Sequence, residues 1–439
     1  MDTDLALARA IHLPIVLLAR AGFAPAAALS PSEQRGSAHL LGRGLRLSLW
    51  QARRGLPSWE EVSSAWERAV DRRGGPDPSL FGRFHPRDRF TLLGDNAEAF
   101  AARAQLLAGA RERIDLATYY LQADDTGRAA AGLLADAAAR GVRVRLVADA
   151  YIMRKKEHEG LGSMRLVGDL RGAGVEVTLF SDPARPFDTN HRKLTLVDGR
   201  ALLIGGRNLA DHYAGLAWRD VELLVEGPSA ASAEALFERT LRGDPEPARA
   251  DEPGPLVHGT TPTALAEHPG FLFLLDRARV AERTIDIENA YYFSHPAVLR
   301  ALAAARARGV RVRVFTNSAA SNDLDWANYR LYAGFPALLD AGIELYLRRG
   351  KGRTLHSKYF VVDGAFACLG SSNFDYYSPR HCTEANLQVE SAALGEALTG
   401  YFERGIAEAD RLVDRAAVAA VLHAHGFSRA LDALMRDAQ

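Results

Sequence analysis

The chain has 439 residues, too many for one ordinary domain, so two or three structural units are expected. Hydrophobic residues make up 48% and charged residues 25%, a composition that excludes a disordered or fibrous protein. Lys plus Arg equals Asp plus Glu at 54 each, and this zero formal charge argues against a general nucleic-acid binder, which usually has a basic excess. The two cysteines, Cys368 and Cys382, exclude a disulfide scaffold and a zinc site made of four cysteines.

Residues 1–90 are predicted to form an N-terminal helical region, with a Gly/Pro-rich break at 74–78, that packs on the first half of the following repeat. Four residues interrupt its apolar stretch at 11–29: His12, Pro14, Arg20 and Pro25. A membrane-spanning helix needs about 20 predominantly apolar residues in succession, so this stretch does not predict one. Two interpretations remain open for it, a helix lying on a membrane surface and a helix packed on the protein's own core.

An internal repeat organises the centre of the chain. The heptapeptide ARGVRVR occurs at 139–145 and again at 307–313. Each copy follows an Ala-rich helical pattern, which itself follows a strand pattern ending in paired tyrosines; another helix and strand come after each copy. Alternating strands and helices are typical of α/β units with a largely parallel sheet. The sequence therefore predicts an α/β fold of two pseudo-symmetric α/β/α halves, each with a mixed, mostly parallel sheet flanked by helices.

The predicted boundaries follow from the repeat. The first half is placed at 91–241 and the second at 263–400. The segment between them, 242–262, is rich in Pro, Gly and charge and is predicted to be a linker. Residues 401–439 are predicted to form C-terminal helices, and the amphipathic pattern at 417–438 is expected to pack on the core.

The candidate chemistry lies at the same place in both halves. HRKLTLVDGRALLIGGRN begins at His191, and HSKYFVVDGAFACLGSSN begins at His356. Counted from each histidine, Lys, Asp, Gly and Asn recur at +2, +7, +14 and +17. A single His-x-Lys carries no information, but two copies of a five-point pattern at matching places in two repeats indicate a site.

The spacing explains how these residues meet. Residues i and i+2 of a strand point to the same face, so Lys193 is predicted beside His191 and Lys358 beside His356. Two such clusters facing each other suit a phosphodiester, because lysines bind its oxygens and two histidines supply a nucleophile and a general acid on opposite sides of phosphorus. This chemistry requires no metal or other cofactor, and none is predicted.

The other members of the pattern belong to a predicted hairpin. Asp-Gly is a favoured hairpin turn, so Asp198 and Asp363 are better explained as turn residues than as substrate contacts, although both stay in the candidate catalytic set. The second strand returns Asn208 and Asn373 to the level of the His–Lys pairs, as candidate phosphate ligands. Ser371 adds another candidate phosphate hydrogen bond.

The duplicated pattern resembles that of the phospholipase D superfamily and, within it, that of the bacterial cardiolipin synthases. Three further segments are similar to that group: GGRNLADHY at 205–213, TNSAASNDL at 316–324 and LLDAGIELY at 338–346. The resemblance covers roughly residues 90–400. It implies an active site at the interface between the two halves.

The resemblance also implies a two-step exchange through a phosphohistidine. It makes His191 the nucleophile and His356 the general acid and base. Acidic partners should orient the imidazoles through the other ring nitrogen. Asp220 and Glu384 are the candidates, because they align when DVELLV is laid on EANLQV. The family implies that they cross, His191 with Glu384 and His356 with Asp220.

Three substrate hypotheses follow. One is phosphatidyl transfer from a phospholipid donor to phosphatidylglycerol, which makes cardiolipin; another is phospholipase D hydrolysis to phosphatidic acid; the third is a phosphodiesterase or nuclease acting on nucleic acid. The zero net charge counts against the nuclease, and the apolar N-terminal stretch favours a membrane lipid. The expected setting is a peripheral protein at the cytoplasmic face of the cell membrane. A monomer is expected, because both motifs lie in one chain.

Overall fold

A computed structural model describes residues 56–242, 256–260, 265–266, 268–324 and 327–424, and the account below concerns these residues. The apolar stretch at 11–29, part of the predicted linker and the end of the chain lie outside them. Of the helices in this described part, none has the length and apolar character needed to cross a bilayer.

The first half is a seven-stranded mixed sheet with helices around it. Its strands lie in the order β1-β8-β7-β6-β2-β3-β4, with β2, β3 and β4 parallel and the other neighbours antiparallel. The elements in chain order are α1 (Trp59–Asp71), β1 (Arg89–Leu93), α2 (Asn96–Gly109), β2 (Arg113–Ala117), α3 (Asp125–Ala139), β3 (Arg143–Asp149), α4 (Ala150–His158), α5 (Ser163–Gly172), β4 (Glu176–Phe180), β5 (Thr189–Asn190), β6 (Leu194–Val197), β7 (Ala201–Gly205), α6 (Asp211–Ala214), β8 (Glu222–Glu226) and α7 (Ser232–Arg242).

The second half repeats this plan in a sheet of order β16-β12-β11-β10-β13-β14-β15-β5, with β9 also paired to β15. Here β10, β11 and β12 are parallel. The elements are β9 (Leu256–Thr260), α8 (Pro269–Val280), β10 (Thr284–Asn289), α9 (Pro296–Ala307), β11 (Arg311–Asn317), α10 (Asn328–Ala333), α11 (Phe335–Asp340), β12 (Glu344–Arg348), β13 (Lys358–Val362), β14 (Phe366–Gly370), α12 (Ser378–His381), β15 (Cys382–Glu390), α13 (Ala392–Ala407), β16 (Ala409–Leu412) and α14 (Arg415–Ala424). Helices α10 and α14 belong to a separate compact unit, in which they pack against each other.

The repeated ARGVRVR has a structural explanation. Its glycine ends helix α3 or α9 with a positive φ, 89° at Gly141 and 96° at Gly309, a conformation that glycine adopts without strain. The last arginine of each copy is buried and forms an ion pair with the aspartate of the neighbouring strand. Arg145 pairs with an aspartate of β2, and Arg313 with one of β10, each at 2.6 Å. The repeat therefore records one buried ion pair used twice.

The two sheets share a hydrophobic core. A single cluster of buried side chains draws on β6 and β7 from the first half and on β13, β14, β15 and α13 from the second. Leu196 and Ile204 lie in this cluster together with Leu369 and Leu387, and all four are fully buried. The surface on which the halves meet is thus apolar and extensive, which holds their facing residues in a fixed relation.

Three expectations need correction. Both sheets are mixed, but antiparallel neighbours outnumber parallel ones among the described strands, because each motif hairpin adds antiparallel pairs that the βαβ pattern did not reveal. Helix α1 packs on α8 and α9 of the second half and not on the first half. Arg300 of α9 holds it there through Glu60 and Glu67 at 2.8 Å. Part of the predicted linker, Leu256–Thr260, is the strand β9, paired with β15.

Candidate active site

Each motif histidine lies at a junction between the two halves. His191 stands between β5 and β6, and its backbone N–H donates to the carbonyl oxygen of Thr383 at 2.9 Å. His356 precedes β13, and its backbone N–H donates to the carbonyl oxygen of Arg219 at 2.6 Å. Thr383 and Arg219 belong in each case to the other half, and an acidic residue follows each of them. The backbone of each histidine is therefore fixed against the other half.

The histidine side chains cross the same interface. His191 Nδ1 lies 2.9 and 3.0 Å from the two carboxyl oxygens of Glu384. His356 Nδ1 lies 2.8 Å from Oδ2 of Asp220. Both acids are fully buried, and the pairs have the crossed arrangement that the family resemblance implies. Because each carboxylate occupies Nδ1, Nε2 is the ring nitrogen left for a substrate.

The two lysines complete one electrostatic cluster. Lys193 Nζ donates to the carbonyl oxygen of His191 at 2.6 Å, and Lys358 Nζ donates to that of His356. Burial lowers the pKa of Lys193 to about 7 and that of Lys358 to about 8. Burial, together with both lysines, lowers the pKa of His356 to about 3 and holds the pKa of His191 well below its ordinary value. The site thus presents neutral imidazoles beside buried amines that are ready to bind an anion.

The two acids differ in their charge. Burial opposes ionisation of Asp220, but His356 and Lys358 outweigh it and lower the pKa of this carboxyl to about 2. At Glu384 burial prevails over the opposing effect of Lys193 and raises the pKa to about 8. The surroundings therefore favour the carboxylate form of Asp220, whereas burial disfavours that of Glu384.

The small residue beside each acid also differs between the halves. The Ser371 hydroxyl donates to the Glu384 carboxylate and accepts the backbone N–H of Ala385 at 3.0 Å. The structure thus gives Ser371 a different partner from the phosphate predicted for it. The equivalent residue beside Asp220 is Gly206, where an added Cβ would come within 2.5 Å of Oδ1 of that aspartate. Only a glycine leaves room for the shorter acid at this place.

The two candidate asparagines are not equivalent. Asn208 Oδ1 accepts the backbone N–H of Tyr119 at 3.2 Å, and its Nδ2 donates to the hydroxyl of Tyr213 at 2.7 Å. Asn373 is buried, and its Oδ1 has no hydrogen-bond partner among the described residues. Asn208 therefore helps to hold the tyrosines in place. A phosphate oxygen needs a hydrogen-bond donor, which in Asn373 is the Nδ2 group and not the unpartnered Oδ1.

Aromatic rings surround the histidines, and the sequence did not assign them to the site. Tyr119 packs edge-on against His191 with the ring centres 5.0 Å apart, and Lys193 Nζ lies 5.2 Å from the centre of the same ring. Tyr213 and Trp218 flank His356 at 5.3 and 5.2 Å. Their signal in the sequence was position alone: Trp218 stands two residues before the acid, and Tyr119 belongs to a repeated tyrosine pair. These rings exclude water and fix the imidazole planes.

The motif aspartates build the hairpins. Asp198 and Asp363 both have a φ of 52°, and glycines with positive φ follow them. The Asp198 carboxylate accepts three backbone N–H groups, from residues 111, 112 and 113, at 2.8 to 3.0 Å. Asp363 does the same with residues 282, 283 and 284. Both aspartates thus tie the hairpin turn to the start of the neighbouring strand. Neither carboxylate contacts the histidines or lysines in the hydrogen bonds described.

Acidic, histidine and cysteine side chains of the described residues form no group of three or more with the arrangement needed to hold a metal ion. The cationic groups beside the two histidines are the amines of Lys193 and Lys358.

Comparison with known proteins agrees with this geometry. The family described as "Cardiolipin synthase, PLD-like domain" matches residues 104–241 and 274–406, more than half of the chain. A cardiolipin synthase of Halalkalibacterium halodurans is 30% identical over 316 residues, covering 65% of this chain and 60% of that protein. One of Alkalihalophilus pseudofirmus is 29% identical over 349 residues, covering 71% and 66%. The chain thus spans about three fifths to two thirds of the length of these relatives.

A solved structure has the same fold. The crystal structure of phosphatidylserine synthase from Haemophilus influenzae superposes with a TM-score of 0.64, covering 85% of this chain and 99% of that one at 14% sequence identity. This likeness extends the shared architecture across both halves.

Proposed function

This chain belongs to the phospholipase D-like domain family of cardiolipin synthases, and from that membership we propose that it is a phosphatidyltransferase that makes cardiolipin. The donor would be a phospholipid, and the acceptor would be the glycerol group of phosphatidylglycerol. The relatives named as cardiolipin synthases support this substrate class.

The observation that carries the proposal is the pair of crossed His–acid dyads. Buried acids fix the Nδ1 atoms of two imidazoles, and Lys193 and Lys358 lie beside them. One imidazole can then attack phosphorus while the other protonates the leaving oxygen on the opposite side. A phosphodiester gains negative charge as the attacking atom approaches, and buried cations stabilise that charge more strongly than they would in water. One dyad alone would provide a nucleophile or an acid, but not both.

In the first step, Nε2 of His191 attacks the donor phosphorus and forms the P–N bond. The bond between phosphorus and the leaving alcohol breaks, and His356, which takes up a proton at Nε2 once the anionic donor is bound beside it, gives that proton to the departing oxygen. Asp220 holds the resulting neutral imidazole in the tautomer that leaves Nε2 unprotonated.

In the second step, the acceptor hydroxyl attacks the phosphohistidine. Its proton passes to Nε2 of His356, the new P–O bond forms and the P–N bond breaks. The lysines and the amide of Asn373 would hold the phosphate oxygens in both steps. The enzyme ends in the state in which it began, with no cofactor consumed.

The proposed setting is a membrane surface, because donor and acceptor are both lipids. We place the protein at the cytoplasmic face as a peripheral monomer, since one chain carries both dyads. The apolar stretch at 11–29 is the segment that would contact the bilayer.

A single assay tests the function. The protein is incubated with vesicles of phosphatidylglycerol, and the products are identified by mass. Cardiolipin with an equimolar amount of glycerol supports transfer. Phosphatidic acid alone would mean that water is the acceptor, and cleavage of single-stranded DNA without lipid turnover would refute the lipid substrate.

A further inference from the structure

One anchored loop over the site has no part in the chemistry described so far. It follows β11 and comprises residues 318–324, within the segment TNSAASNDL. Asn317 exchanges two hydrogen bonds with the backbone of Leu355, both at 2.8 Å. Thr354 Oγ1 donates to the carbonyl oxygen of Ser321 at 3.0 Å. The loop is therefore fastened to the residues that immediately precede His356.

Asp323 is held near the tip of this loop. The hydroxyl of Tyr291 donates to Oδ1 of Asp323 at 2.7 Å. Tyr291 is itself buried, and the residue before it, Ala290, donates its backbone N–H to Ser357, which lies between the motif histidine and lysine, at 3.1 Å. Asp323 is exposed to solvent. An exposed carboxylate of fixed orientation is thus linked, through Tyr291 and its neighbour Ala290, to the residue between the motif histidine and lysine.

Electrostatic influence agrees with this placement. Burial lowers the pKa of Lys358, and Asp323 is among the acids that oppose this lowering. Burial is the main cause that raises the pKa of the Tyr120 and Tyr213 hydroxyls in the first half, and Asp323 also contributes to raising it. The charge of Asp323 therefore acts on groups from both halves.

The first half has a helix with a lysine at the corresponding place, and that lysine, Lys156, also lies 3.4 Å from the carboxylate of Glu159. There Asp149 ends β3, and one of its carboxyl oxygens accepts the backbone N–H of Asn190, the residue before His191, at 2.9 Å. Helix α4 follows in place of the loop, and its Lys156 lies 5.0 Å from the ring centre of Tyr120. The two sides of a pseudo-symmetric site thus differ by a lysine and an aspartate. The two alcohols of a phosphodiester would not meet the same surroundings.

A carboxylate beside a phosphate site weakens binding of the phosphate unless it meets a hydrogen-bond donor of the ligand. The phosphatidyl group has no such donor, whereas the alcohol can have one. In a vicinal diol the second hydroxyl lies next to the reacting one. A fixed carboxylate with two oxygens accepts such a hydroxyl well, since charge-assisted hydrogen bonds are stronger than neutral ones.

We propose that Asp323, positioned by Tyr291, selects the alcohol at this site by accepting a hydrogen bond from the second hydroxyl of a vicinal diol, such as a terminal glycerol group. The inference rests on the proposed transferase function. In the transfer step the reacting oxygen of the diol forms the P–O bond, the P–N bond to His191 breaks, and the proton goes to His356. The second hydroxyl keeps its proton and donates it to Asp323 as a hydrogen bond.

A competition between acceptors tests the proposal. Phosphatidylglycerol vesicles are incubated with the full-length protein and equal concentrations of 1,2-propanediol and 1-propanol, and the two phosphatidyl alcohols are counted by mass. Both acceptors compete for the same phosphoenzyme, so their product ratio does not depend on how fast that intermediate forms. The wild type is expected to favour the diol about tenfold, the value of one charge-assisted hydrogen bond.

The variants sharpen the result. Asp323→Asn should reduce the diol-to-propanol product ratio to a value between about 1 and 2. Tyr291→Phe keeps the carboxylate but removes the hydrogen bond from Tyr291 that orients it, and should give an intermediate ratio. A ratio unchanged in Asp323→Asn would overturn the proposal. Ethanolamine is added as a third acceptor: loss of its product alone in Asp323→Asn would show that the carboxylate recognises an ammonium group and would also overturn it. Turnover to phosphatidic acid alone, with neither cardiolipin nor any phosphatidyl alcohol, would instead refute the transferase function on which the inference rests.

Discussion

An Asp→Asn substitution separates the two kinds of aspartate in this site. In the Asp198 turn, Oδ1 accepts two backbone N–H groups and Oδ2 accepts a third, from Arg111. In Asp198→Asn the amide oxygen keeps the pair, but the new NH₂ group faces a backbone donor. One charge-assisted bond is lost at a partly exposed position, a cost of about 1–2 kcal/mol. We expect the melting temperature to fall by a few °C and the activity of the folded protein to stay within about twofold.

Asp220→Asn should behave in the opposite way. The carboxylate accepts the Nδ1 proton of His356 at 2.8 Å, whereas an amide at this place donates a proton instead. The imidazole then carries its proton on Nε2 and cannot act as a base. In serine proteases, where an aspartate orients the catalytic histidine in the same way, this change costs about 10⁴-fold in turnover. We expect a loss of at least about 10³-fold here, with a folded protein.

The assay is lipid turnover measured beside thermal unfolding for both variants, with Asp363→Asn as the matched control for Asp198→Asn. Asp363 makes the same three backbone bonds in the second half, so the two turn variants should behave alike. Loss of activity in Asp198→Asn at an unchanged melting temperature would refute the turn assignment. Full activity in Asp220→Asn would refute the role of the dyad.

Three further predictions concern the reaction itself. Phosphoenzyme trapped by denaturing the protein at alkaline pH, where a P–N bond survives, should vanish in His191→Asn and persist in His356→Asn; the reverse pattern would exchange the roles of the two histidines. Burial holds the pKa of Lys193 at about 7 and that of Lys358 at about 8, and a bound anion favours the charged amines. Binding of dibutyl phosphate at pH 7.5 should therefore take up protons, seen as a dependence of the calorimetric heat on the buffer's ionisation enthalpy, and the affinity should fall as the pH rises through this range; equal heats in all buffers would contradict this. Incubation with EDTA should leave lipid turnover unchanged, because lysines supply the charge, and strong inhibition would contradict a lysine-only site.

The two-half architecture could be predicted from the sequence because the motifs occur twice. The offset between the two ARGVRVR copies gave the repeat, and the offset between His191 and His356 placed the motifs within it. Laying DVELLV on EANLQV was enough to indicate Asp220 and Glu384 as equivalent acids, and the crossed pairing with the histidines followed from the family resemblance. These inferences compare positions along the chain, and they need no knowledge of distances in space.

What the sequence could not give depends on packing between distant segments. Helix α1 has an amphipathic pattern but no feature that names its partner, and it packs on the second half. The hydrogen bond between Asn208 and Tyr213 is equally hidden, because the second copy of the motif has no tyrosine at the position that corresponds to Tyr213. Pseudo-symmetry in the motif therefore concealed an asymmetry in the site.

Because the dyads cross, the chemistry of each repeat depends on a residue of the other. A mutation of Glu384 is expected to impair His191, although the two residues are 193 positions apart in the chain. Because each pair takes its histidine from one half and its acid from the other, neither half can lose either residue without disabling the other half. The contacts that join them are non-covalent, so two separately produced halves would each be inert and would recover activity only on association. Activity measured on separately produced halves would therefore report whether the two halves have associated.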